Sequence, residues 1–155
     1  MTHIGVIPKD LAIGPFWPQI SDLISKAMPY GRGEYTIDDI RDGIASGAMF
    51  ALGVVNAGMV EFVVTATIAQ FPRKRVLYVQ YGAGHGGKRA AAALIVAAKT
   101  LEADWIETRC RASVATLYRR IGFDTSYQVA ILETSKGFVP NLTATRGTAR
   151  ADSTR

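Results

Sequence analysis

The sequence predicts an α/β domain with a mixed, mostly antiparallel sheet and helices on both faces. Two observations carry that expectation. The first is a pair of strand-like runs, Met49 to Val55 and Met59 to Gln70, separated by Asn56-Ala57-Gly58, a short hairpin signal that makes neighbours antiparallel. The second is the order strand, glycine turn, helix, strand from Val76 onward. A helical crossover of that kind joins parallel strands.

The elements follow in order. Ile4, Val6 and Ile7 suggest an initial strand that Pro8 ends or edges, and residues 2 to 14 carry little other pattern. Pro18 suits the first turn of a helix, and Ile20, Leu23, Ile24 and Ala27 keep helical spacing until Pro29. Tyr30-Gly31-Arg32-Gly33 reads as a loop. Thr36 is a good N-cap, Asp38 and Asp39 sit in the electropositive first turn, and Ile37, Ile40 and Ile44 face a core until Gly47 closes the helix. Phe62 to Ile68 is nearly all apolar or β-branched, as a central strand should be.

Val76 to Tyr81 is the next strand. Gly82-Ala83-Gly84-His85-Gly86-Gly87 follows, and then a helix over Lys88 to Ala103 with Leu94, Ile95, Ala98 and Leu101 on one face. Trp105 to Cys110 is a strand, with Cys110 buried in it. Val114, Leu117, Tyr118 and Ile121 mark a helix that Gly122 stops. Ser126 to Glu133 alternates as a last strand, which closes a single domain at residues 1–134. Residues 135–155 form a polar tail. It carries Arg146, Arg150 and Arg155 against Asp152, and has too little apolar surface to order itself on its own domain.

A glycine turn between strand and helix leaves free N–H groups at a helix N-terminus, where the dipole favours an anion and Lys88 and Arg89 add charge. The alternative is that the glycines only turn the chain tightly. A dinucleotide fingerprint is excluded because no acidic ribose partner ends the next strand, and a P-loop because Arg89 stands where Ser or Thr is required.

With 155 residues, a net charge of +5 and a single cysteine, the chain is bounded to one domain without an internal disulfide, in a reducing compartment. His3 and His85 lie in unrelated segments, so no metal site is expected. No apolar stretch reaches the length of a membrane span. The basic residues are scattered, with Arg73-Lys74-Arg75 the densest group and no nucleic-acid motif beside it, so specific nucleic-acid binding is not expected.

The order of elements, together with Leu117-Tyr118-Arg119-Arg120-Ile121-Gly122-Phe123, resembles the GNAT acyltransferase fold. That family has an Arg/Gln-x-x-Gly-x-Gly/Ala turn and an Asn-x-x-Ala-x-x-Leu-Tyr-x-x-x-Gly-Phe ending. Gly84, Gly86, Leu117, Tyr118, Gly122 and Phe123 match. Tyr81 replaces Arg or Gln, Arg111 replaces Asn, and Val114 replaces Ala.

The resemblance implies acetyl-CoA as cosubstrate, with its phosphates on the amides of Gly84, Gly86 and Gly87 and with Lys88 and Arg89 as helpers. It also implies Tyr118 as the acid for the departing thiolate; a helix-face tyrosine in the core is the alternative. Glu107 is the only acid in the two central strands that could act as base, and pairing with Arg109 is its alternative. The strand before the glycine turn offers no carboxylate. Tyr30 and Arg32 fall in the loop that shapes the acceptor site in such enzymes.

A narrower resemblance links Val64-Thr65, Pro72 to Leu77, Gly82 to Gly87, Ala98-Lys99 and Arg109 to the GNAT-like internal virion protein A family of short-tailed bacteriophages. It implies a virion structural or morphogenesis protein without strong catalysis. Such a protein would reside in the virion, and in host cytoplasm during assembly, and would contact other virion proteins or its own copies through the tail. The sequence departures favour that reading. An acyl-CoA-dependent N-acyltransferase of unknown acceptor is the alternative.

Overall fold

The hairpin fixes the sheet. Ala57 and Gly58 both take left-handed φ, +49° and +77°, so Asn56 and Met59 pair directly across a tight reversal. The computed structural model describes residues 1–132, and its first compact unit runs from Met1 to Thr125. Its strands are β1 (Thr2–Val6), β2 (Phe50–Asn56), β3 (Met59–Gln70), β4 (Arg75–Gly84) and β5 (Trp105–Thr108). They lie side by side in chain order; β1 to β4 are antiparallel neighbours and β4–β5 is parallel. The mixed, mostly antiparallel sheet is therefore as expected.

Helices cover both faces. On one face α1 (Lys9–Ile13), α2 (Trp17–Ala27) and α3 (Ile37–Ser46) bring Ala12, Ile20, Ile24, Ile40 and Ile44 onto Val60, Val63 and Tyr81. On the other, α4 (Lys88–Thr100) sets Leu94, Ala97 and Ala98 against Leu52, Val64, Leu77 and Val79. The adjacent residues Val63 and Val64 enter opposite cores, which is the period of two of a central strand. Alanines bring α4 close to the sheet, and Gly5 makes room there. A Cβ at Gly5 would lie 2.9 Å from Val96 Cγ1.

The capping residues behave as their chemistry demands. Thr36 Oγ1 accepts the Asp39 amide at 3.1 Å and Asp39 Oδ2 accepts the Thr36 amide at 2.7 Å, a reciprocal capping box. Gly47 ends α3 with a left-handed φ of +82°.

Several expectations need correction. The short helix α1 was not legible, because five residues beside a proline carry almost no periodicity. β4 continues through Gly82 to Gly84, since β3 keeps pairing with it. β5 stops at Thr108 because β4 has left it, so Cys110 is exposed and is not a buried strand residue. On α4 the buried residues are Ala93, Leu94, Ala97 and Ala98, whereas Ile95 is 49% exposed. α5 (Ala112–Arg120) has the expected helical period, but no described layer opposes its Leu117 face, and Leu117 is 59% exposed.

The second unit begins at Ser126. Its described residues, Ser126 to Leu132, form no strand, which corrects the one expected at Ser126–Glu133. Alternation is not enough for a strand: the backbone needs a ladder, and here Tyr127, Val129 and Ile131 are exposed. The tail at 135–155 lies outside the described residues.

The two sides of this packing give a paired expectation. Ile24→Ala removes a fully buried side chain and should cost about 2–5 kcal/mol in chemical denaturation. Ile95→Ala, on the outer side of α4, should change stability by less than about 0.5 kcal/mol. Equal losses at both positions would contradict this assignment of the α4 face.

Candidate functional site

The site originates in an interruption of the β3–β4 ladder. Val64 faces Gly82 but Ala66 faces Val79, so two β4 residues, Gln80 and Tyr81, stand opposite Thr65, one more than regular pairing allows. Thr65 is fully buried, and its Oγ1 accepts the Tyr81 amide at 3.3 Å. The parallel ladder to β5 ends at Val79↔Thr108, while β4 runs on to Gly84 paired only with β3. Between the parted strands, the edge of Gln80 to Gly84 has no strand partner.

The glycines are needed at this edge and turn. Gly84 has φ +112°, and a Cβ there would collide with the Glu61 carbonyl oxygen. The His85 amide donates to that same carbonyl at 2.7 Å. Gly86 O accepts the Arg89 and Ala90 amides, and the amides of Gly86, Gly87 and Lys88 donate to no other described group. No side chain caps α4. Three N–H groups and a positive helix end, with exposed Lys88 beside them, make a seat for an anion. Arg89 is drawn away from it: its Nη1 lies 3.1 Å from Glu61 Oε2, and Asn56 holds the other oxygen of that carboxylate at 3.0 Å.

On the face of β4 covered by α1 to α3 lies a polar cluster built with the loop between α2 and α3. The Tyr81 hydroxyl donates to Glu34 Oε2 at 3.2 Å, and the Arg32 amide donates to the same oxygen at 2.8 Å. The Glu34 and Arg32 backbone amides hold the Glu34 carboxyl below its ordinary range, with Tyr81 and the Arg109 charge adding to them. Gln80 Nε2 donates to the Tyr35 hydroxyl at 3.3 Å, and the Tyr35 and Tyr81 rings meet edge to face at 6.4 Å. Gly31 lets the loop lie on Tyr81, since a Cβ there would be 2.7 Å from Tyr81 Cε1. Tyr30 is 67% exposed and stacks under the Arg111 guanidinium at 4.0 Å.

Of the two expected catalytic residues, Glu107 lies in β5 and Tyr118 on α5. Glu107 sits opposite Tyr78 in the ladder and bonds its hydroxyl, and it accepts the Trp105 indole N–H at 3.4 Å. Those are its hydrogen-bond partners, in place of the Arg109 pairing. Tyr118 packs edge-on against Phe123 at 5.1 Å and shares a hydrogen bond with Thr108. Burial pushes its hydroxyl pKa up, against the pull of Thr108. Ile106 enters the α4-side core and Glu107 meets Tyr78 on the other face, so Tyr118, at Thr108, is across the strand from Glu107.

Glu34, Tyr35, Tyr78 and Gln80 were not singled out from the sequence. Glu34 brings to the cluster a carboxylate that β4 itself lacks. No local pattern could have marked it, because its meeting with Tyr81 spans 47 positions. Among the described residues no group of His, Cys, Asp and Glu is arranged to hold a metal, and no helix is long and apolar enough to cross a membrane.

No family model and no curated protein sequence matches the chain. Solved structures do match in backbone. An aminoglycoside acetyltransferase from an uncultured soil metagenomic sample, in complex with sisomicin, superposes with a TM-score of 0.65 at 8% identity, over 85% of this chain and 94% of that one. Another aminoglycoside N-acetyltransferase, in complex with CoA, gives 0.62 at 10% identity, over 86% and 94%. A ribosomal-protein-alanine N-acetyltransferase from Brucella melitensis biovar Abortus gives 0.62 at 17% identity, over 86% and 99%. Strand order, the β4–β5 parting and these superpositions together give the chain the GNAT acetyltransferase fold.

Proposed function

We propose that the protein is an acyl-CoA-dependent N-acyltransferase acting on an amine. The observation that carries this reading is the parting of β4 from β5 directly before the free amides of the glycine turn. The residues present fit the cosubstrate. The Gly86, Gly87 and Lys88 amides and the Lys88 ammonium would hold its pyrophosphate, and Gly84 supplies the bend that presents them. Bound acyl-CoA supplies an acyl group activated as a thioester.

The chain's own groups supply the rest. Tyr118 Oη is protonated at neutral pH as a phenol is, and burial pushes its pKa further up, so a proton is present for a departing thiolate. Glu107, exposed and bonded to Tyr78, can receive a proton from the amine side. Glu34, held ionised by backbone amides, suits attraction of a cationic acceptor better than proton removal.

A second reading keeps the fold for assembly within a short-tailed phage particle. It is favoured by Tyr81 in place of Arg or Gln and by Arg111 in place of Asn. On that reading the tail at 135–155 binds other virion proteins or further copies of the chain. Its deletion should leave the melting temperature unchanged and block incorporation into particles; a truncated chain that incorporates normally would remove this reading.

Two measurements test the enzyme. Isothermal titration should give micromolar binding of acetyl-CoA, and Gly86→Glu should abolish it by filling and charging the anion seat, with the circular dichroism spectrum retained. Failure of the wild type to bind at millimolar acetyl-CoA would end the acyltransferase reading. Tyr118→Phe keeps the ring's packing on Phe123 and removes the proton donor, so kcat should fall roughly 10²–10⁴-fold with acetyl-CoA affinity unchanged. An unchanged kcat would assign Tyr118 to packing alone.

A further inference from the structure

Gln80 occupies the position where β4 leaves β5, one residue past the last rung of the parallel ladder. Its side chain has one end fixed and one end waiting. Nε2 donates to the Tyr35 hydroxyl, and Tyr35 is in turn set by the Tyr81 ring, which Glu34 holds through the phenol. Oε1 is buried and has no hydrogen-bond partner, alone among the described side-chain polar atoms buried to that degree. Folded proteins pair their buried acceptors, because one left without a donor has lost water and gained nothing. An acceptor kept in that condition, on the part of β4 that has left β5, is poised for a donor that arrives from outside.

We propose that Gln80 Oε1 is the specificity-determining contact for the acceptor amine, taking one of its N–H groups. The inference rests on the acyltransferase reading for the identity of its ligand as an acceptor. An amide oxygen cannot carry the amine's proton away, so Gln80 is not the base; holding one N–H fixes where the nitrogen lone pair points. The surroundings set the ligand class. Glu34, exposed, offers negative charge, and the half-buried Tyr35 ring, bonded to Gln80 through its hydroxyl, offers an aromatic wall. A primary amine entering as its ammonium, on a short apolar body, satisfies all of these groups.

The test uses n-butylamine, at neutral pH as its ammonium, with the full ¹⁵N-labelled chain. Titration should shift the Gln80 side-chain NH₂ resonances, and n-butanol at the same concentration should not shift them. Gln80→Leu removes the unpaired oxygen at similar volume. It should weaken butylamine binding at least about ten-fold, the size expected for one buried hydrogen bond. The same variant should melt above the wild type and bind acetyl-CoA as before. Butylamine that binds without moving the Gln80 signals, or binds Q80L equally well, overturns the proposal, and so does an absence of butylamine binding at millimolar concentration. The wild-type titration decides the matter even if Q80L folds poorly. A chain that binds butylamine at Gln80 but not acetyl-CoA would keep this site and lose the acyltransferase reading, so the two failures are separable.

Discussion

The constraint on which the rest of this structure depends is the mismatch between β3 and β4 at Thr65. One extra residue opposite a buried threonine shifts the register, and the Thr65 hydroxyl satisfies the Tyr81 amide that the shift would otherwise strand. Past that point β4 follows β3 and turns away from β5. The opening between the strands, the early end of β5 and the exposure of Cys110 are all consequences of this one irregularity. So is the presence of Tyr81 in the helix-covered core, on the opposite face from Val79.

The parting gives the molecule two chemically different margins. The glycine-turn margin is made of backbone, with free amides at a helix end, and its charge is tempered by the Arg89–Glu61 pair. The loop margin is made of side chains: tyrosines, a glutamine and a carboxylate held ionised. Backbone amides suit a phosphate, which any sequence with the right glycines can bind. Side chains suit discrimination, because they can differ from one chain to another on the same frame. On the proposed acyltransferase reading the carrier would take the first and the acceptor the second, a division of labour between backbone and side chains.

Much of the frame was legible because it rests on local rules. The hairpin at Asn56-Ala57-Gly58, the Thr36 cap, the Gly47 stop and the glycine turn before α4 are each decided by a few neighbouring residues. Helical period located α2, α3 and α4, but it could not say how wide the buried stripe on α4 would be. Alanines close to the sheet took the place expected for Ile95. The alternation at Ser126 to Leu132 misled because a strand needs a second segment to pair with, and the pattern of one run cannot supply it. The glycine turn was visible in the sequence. The polar cluster was not, because Glu34, Tyr35, Gln80 and Tyr81 meet only through long-range packing.

The departure at Tyr81 then changes its meaning. Set against the fold's usual turn, a tyrosine in place of Arg or Gln looks like a lost phosphate ligand. In the structure its ring is only 6% exposed, its face is covered at Gly31, and its hydroxyl holds the Glu34 carboxylate. The ring fills that space, and its hydroxyl braces Glu34 and the loop. The residue belongs to the polar cluster, where its ring meets Tyr35, which in turn holds Gln80. The anion seat is left to backbone amides and Lys88, which need no help from position 81 to present their N–H groups. What reads in sequence as half a signature missing is, in three dimensions, a side chain that supports the other half of the site.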